Sequence, residues 1–155
     1  MVELSKEYDY RLQKIEKKYT NDPDDPVILE EYCDFLKEYL SQGFMEKQME
    51  QIYRNQYTQL LLKQLEQRVN LHTCVCLMEN LMVQRDFFLA EKILKIMDQN
   101  WHRGEEYWIW KIRYLAERKM GKELKQSLQA LKEEHIYLSS RGKEALGFWL
   151  DGSKK

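Results

Sequence analysis

Proline and glycine are scarce in this chain, with two and six in 155 residues. Tight hairpins and short strands draw heavily on both, so a turn-rich β protein is excluded. Charge of one sign is also lacking: Lys plus Arg number 25 and Asp plus Glu 26, a net charge of −1. Surfaces that track phosphates usually leave a basic excess, so nucleic acid is not an expected partner. No window approaches the roughly eighteen consecutive apolar residues of a spanning helix, so no membrane partner is expected either. Cysteine is limited to Cys33, Cys74 and Cys76, an odd number in a chain too long to need disulfide scaffolding. The opening Met-Val-Glu-Leu-Ser-Lys-Glu-Tyr is charged and has no signal-peptide apolar run. These absences point to a reducing, cytoplasmic setting. Leu, Glu, Lys and Gln, which are good helix formers, dominate what is present, so the expected class is all-α.

Three stretches share one pattern. The first runs Tyr32, Phe35, Leu36, Tyr39, then Gly43, Met45, Gln48 and Ile52. The second runs Cys74, Leu77, Met78, Leu81, then Arg85, Asp86, Phe87, Ala90 and Leu94. The third is Trp108, Lys111, Ile112, Leu115, then Lys119, Leu124 and Leu128. Each has an apolar helical stripe, a short polar break and a second stripe, which reads as a repeated helix–turn–helix unit. Repeated helix pairs bury their faces against one another and usually build surfaces that hold other proteins.

Around these units the chain organises as one helical-repeat domain, 1–151. Leu4, Tyr8, Leu12, Ile15 and Tyr19 predict an opening helix, which the Asn21-Asp22-Pro23-Asp24-Asp25-Pro26 segment ends. Units follow at about 26–70, 71–104 and 105–138. Tyr32 and Cys74 are 42 residues apart, whereas Cys74 and Trp108 are 34 apart. The eight extra residues are about two helical turns, read as an extended helix after Gly43. A loop is the alternative, but Tyr57 to Leu65 is too apolar for one. A short helix at about 140–151, with Leu146 and Trp149 one 34-residue step beyond Ile112 and Leu115, would cap the array. Residues 152–155 read as a frayed tail.

At this point the chain resembles the tetratricopeptide repeat family, whose unit is a 34-residue helix pair. Trp108 stands in the family's tryptophan slot, Leu77 and Phe35 in its leucine slot and Tyr39 in its tyrosine slot. Arg85-Asp86-Phe87 followed by Ala90 resembles its inter-helix turn and small contact residue, and Asp25-Pro26 its unit-closing pair. The close-contact glycine is replaced by Leu36, Met78 and Ile112, which should spread the paired helices or change their crossing angle. The closing proline is missing after the first two units, and Lys111 interrupts the apolar pattern of the third. The resemblance implies an α-solenoid of about three helix pairs whose first helices line a concave groove. Carried over position by position, that lining is Glu30, Cys33, Lys37 and Leu40; then His72, Val75, Glu79 and Met82; then Glu106, Ile109, Arg113 and Ala116. The family's carboxylate-gripping groove is disfavoured, because Lys37 and Arg113 are present without the matching asparagines.

The residues themselves assemble no chemistry. Cys74 and Cys76 are two apart on a helix and point about 200° away from each other, so they cannot readily chelate together. His72 and Cys76 could meet, but two ligands fall short of a structural zinc site, so no metal is expected. His102 and His135 lie at helix ends, where a histidine complements the dipole, as Glu105 and Glu106 do at a helix start. No glycine-rich phosphate loop exists, and neither an enzyme nor a cofactor is implied. Trp108, Ile112 and Leu115 share a core face. Tyr107, Trp110 and Tyr114 form a second stripe on the same helix, either packed inside an array or, at Trp110, offered as a binding anchor.

The expectation is therefore a non-catalytic adaptor or chaperone-like module that binds a peptide or protein segment in its groove. The alternative is a regulatory or accessory subunit that self-associates or docks on a separate enzyme. The Leu4/Tyr8/Leu12/Ile15 stripe could then serve a homodimer or a partner helix.

Overall fold

In the computed structural model, residues 2–152 are described, and their regular structure is all α-helix, without a strand among them. The elements are α1 (Val2–Asn21), α2 (Pro26–Ser41), α3 (Lys47–Gln67), α4 (Leu71–Gln84), α5 (Phe87–Trp101), α6 (Glu105–Glu117), α7 (Gly121–Glu133) and α8 (Ser140–Gly152). Of the expected tail only Gly152 falls within α8; residues 153–155 lie outside the described residues.

Local chemistry starts and stops these helices. Asp25 caps α2, its carboxylate accepting from the Val27 and Ile28 amides at 2.8 and 3.4 Å, while Pro26 occupies a position whose N–H would have no helical partner. Asp86 caps α5 by accepting from Leu89 at 3.1 Å, and Asn70 accepts from the Thr73 amide at 2.8 Å at the start of α4. With no Gly or Pro to interrupt it, α3 runs 21 residues, against 15 for α5 and 13 for α7.

Three C-termini close in the same way. After α4, the Asp86 amide reaches Leu81 O (3.0 Å) and the Arg85 amide reaches Met82 O (3.2 Å). After α6, Met120 reaches Leu115 O (3.0 Å) and Lys119 reaches Ala116 O (3.0 Å). After α7, Ile136 reaches Leu131 O (3.3 Å) and His135 reaches Lys132 O (3.1 Å). This paired bonding is the Schellman motif, which needs a left-handed residue at its corner. Arg85, Lys119 and His135 accordingly have φ of 57°, 56° and 53°, without the glycine that usually fills this place. Gly43, after α2, has φ of 72°. Gly43, Arg85 and Lys119 are separated by 42 and 34 residues, the same intervals as Tyr32, Cys74 and Trp108.

The chain divides into two compact units, Met1–Thr73 and Cys74–Lys155, with the boundary inside α4. In the first unit, α2 packs against both α1 and α3. Tyr8, Leu12 and Ile15 bury the inner face of α1. Tyr8 meets Tyr39 at 5.2 Å between ring centroids, and Tyr19 meets Tyr32 edge-on at 5.4 Å. Of the Leu4/Tyr8/Leu12/Ile15 stripe, Tyr8, Leu12 and Ile15 are covered within the unit and Leu4 is exposed. Lys63 of α3 ties the α1–α2 link by donating to Pro23 O at 2.5 Å and to the Tyr19 hydroxyl at 3.3 Å.

In the second unit α6 is central and packs on α5, α7 and α8. Both of its apolar stripes are buried: Trp108, Ile112 and Leu115 on one, Tyr107, Trp110 and Tyr114 on the other. A large apolar side chain buried this way contributes roughly 1.5–3 kcal/mol, so one helix with two covered faces anchors the unit. Lys111 is accommodated by standing over the Tyr107 and Trp108 rings, 5.5 and 5.4 Å from their centroids. Leu36, Met78 and Ile112 are fully buried.

Candidate functional site

A groove of about 670 Å³ opens in the second unit, lined from α4, α6 and α8. Helical spacing explains its walls. Val75, Glu79 and Met82 stand four and three residues apart on α4, and Glu106, Ile109 and Arg113 three and four apart on α6, so each set shares one face. Cap helix α8 adds Arg141 and Ala145. The floor is apolar: Val75, Met82, Ile109, Trp110 and Ala145.

The rim carries three glutamates and three arginines. Arg85 pairs with Glu117 at 3.2 Å, and Arg141 pairs with Glu106. Arg113 lies over the Trp110 ring, 4.5 Å from its centroid, so the cation and the aromatic face form one feature of the wall. Trp110 itself is only 5% exposed, and its indole Nε1 is buried without a hydrogen-bond partner. Trp110 is thus packed in the core, and its ring also borders the groove.

Seven of the residues expected to line a groove meet here: Val75, Glu79, Met82, Glu106, Ile109, Trp110 and Arg113. Lys37, Leu40 and His72 belong to the first unit, where Lys37 and His72 are exposed and Leu40 is buried. Val83, Arg85, Glu117, Arg141 and Ala145 were missed. Val83 directly follows Met82 on α4, Arg85 is the left-handed turn residue just beyond that helix, and Arg141 and Ala145 follow from extending the groove face into the cap helix.

The reactive side chains lie elsewhere. Cys33, Cys74 and Cys76 are all buried, and none is in a disulfide. Burial pushes the Cys74 thiol up to about 11, which holds it in the inert thiol form. Among the described residues, no three His, Cys, Asp or Glu side chains converge where a metal could sit, and no helix is long and apolar enough to cross a membrane. His102, in the link after α5, is held between Asp98 and Glu134, and its backbone carbonyl accepts from Trp108 Nε1 at 2.7 Å. Glu105 accepts from both the Ser139 amide and hydroxyl, each at 2.7 Å, which fixes the start of α8 against α6. Those bonds, hydroxyl first, hold its carboxyl below the usual range.

Comparison with protein-family models, with curated proteins and with solved structures gives no match for this chain.

Proposed function

We propose that this chain is a divergent tetratricopeptide-like helical-repeat module, a non-catalytic adaptor or chaperone-like protein that seats a protein segment in the groove of its second unit. The observation that carries this reading is the groove's make-up. An apolar floor is rimmed by three carboxylates and three guanidinium groups, and Val75, Glu79, Met82, Glu106, Ile109 and Arg113 among its lining residues stand at the positions where the family's concave face would lie. Such a surface can bury apolar side chains of a segment and meet its polar backbone at the rim, as peptide-in-groove recognition requires. The repeat part of the reading is supported by the left-handed turn residues recurring at 42 and 34 residues, in step with the helix pairs.

The test is site-specific photocrosslinking in cells. Val83 is 60% exposed at the groove edge, and Phe88, 72% exposed on α5, is not among the groove's lining residues. A benzophenone side chain at 83 should trap a defined protein that one at 88 does not trap. Combining Glu79→Lys with Arg113→Glu should abolish that adduct while helical circular dichroism is unchanged. Identical adducts from both positions, or an adduct indifferent to the charge reversal, would remove the groove from the function.

A further inference from the structure

We propose that His102 is a proton-dependent clasp joining the C-terminal ends of α5 and α7. Both ring nitrogens face carboxylates: Nδ1 meets Asp98, one turn back on α5, and Nε2 meets Glu134 of the α7 C-cap at 2.6 Å. An ionised carboxylate can only accept, and a neutral imidazole has one donor and one acceptor. Only the doubly protonated ring satisfies both neighbours.

The setting reinforces this demand. Two helix C-termini, each carrying partial negative charge, bring their carboxylates to one point, where a cation is favoured. From α6 the Tyr107 and Trp108 rings pack at 5.7 and 5.3 Å, and the Tyr107 phenol stays neutral because burial, then Asp98 and Glu134, push it up to about 12. The positive charges nearby are Lys111, above those rings, and Arg103, which donates to Glu134 O at 3.0 Å. Neither replaces the imidazolium between the two carboxylates.

Hydrogen bonding to Glu134, then to Asp98, accordingly raises the imidazole above its ordinary 6.5, against a smaller opposing effect of burial. The sign follows: the folded chain holds this proton more tightly than the unfolded one. The clasp contributes fully below 6.5 and is lost as pH rises through the folded-state value. With the side chain 39% exposed, the proton can leave without global unfolding. One carboxylate then faces a lone pair, and the α7 end loosens. This inference does not depend on what occupies the groove.

The test is ¹⁵N NMR titration of the His102 ring, with hydrogen-exchange protection factors for amides 131–136. Wild-type protein should keep both ring nitrogens protonated above 6.5. Glu134→Gln should lower the titration, because the ring then loses the carboxylate that raises it most. Protection at 131–136 should fall through the same pH range in wild type and stay level in His102→Gln. Titration unchanged by Glu134→Gln, or equal pH dependence of protection with and without the imidazole, would overturn the clasp. If His102→Gln does not fold, the Glu134→Gln titration decides alone.

Discussion

Replacing Lys119 by glycine should stabilise the protein, even though it deletes a long side chain. Lys119 is exposed at the corner of the motif after α6, with φ of 56°. An L-residue in that conformation costs about 1–2 kcal/mol, because Cβ crowds the following carbonyl. Glycine avoids the clash but loses about 0.5–1 kcal/mol more backbone freedom on folding. The difference leaves a gain of about 0.5–1 kcal/mol, or about 1–4 °C in Tm for a chain of this size. Arg85→Gly is the internal control. It relieves the same strain but removes the 3.2 Å pair to Glu117 and the guanidinium 4.9 Å from the Phe87 centroid. Each exposed contact is worth up to about 1 kcal/mol, so the net change there should be near zero. Gly43→Ala is the inverse: a Cβ would meet nothing within 4 Å, so any loss, expected at about 1 kcal/mol, is conformational. Urea melts followed by circular dichroism measure all three. A destabilised Lys119→Gly, or an unaffected Gly43→Ala, would refute the strain argument.

Two further substitutions probe the second unit. In Gly142→Ala the new Cβ would lie 2.5 Å from Glu105 Oε2, forcing the carboxylate away from Ser139. We expect a loss of about 1–3 kcal/mol by urea denaturation, largely abolished when Glu105 is already Ala. Trp110→Phe removes the unpartnered indole N–H, so the penalty relieved, about 1–3 kcal/mol, should offset the lost ring volume. Stability within about 1 kcal/mol of wild type is expected, and a loss above about 3 kcal/mol would refute this offset.

The helices were legible because their signals are local. Asp25-Pro26 marks the start of α2, unbroken spacing from Met49 to Leu65 gives the long α3, and Gly43 marks its turn. Other turns were visible only as polar breaks. A lysine, arginine or histidine in the left-handed conformation looks in sequence like one on any exposed helix. The α4 and α6 walls of the groove hold positions that the family resemblance had carried over, with Val75 and Ile109, like Glu79 and Arg113, standing 34 residues apart. Its α8 wall required knowing which face of a short cap turns inward. The His102 contact to Glu134 spans 32 residues and depends on two helix ends meeting, which no local pattern encodes. The division at Thr73 and Cys74 leaves no trace either, since it falls inside a continuous helix rather than at a Pro- or Gly-rich linker.

The placement of the three thiols gives the molecule a built-in reporter. Cys33 lies in the first compact unit, and Cys74 and Cys76 lie in the second, all shielded from solvent. An alkylating reagent can reach each one only when its own surroundings open. One added label or two then tells, by intact mass alone, which half of the chain breathed first.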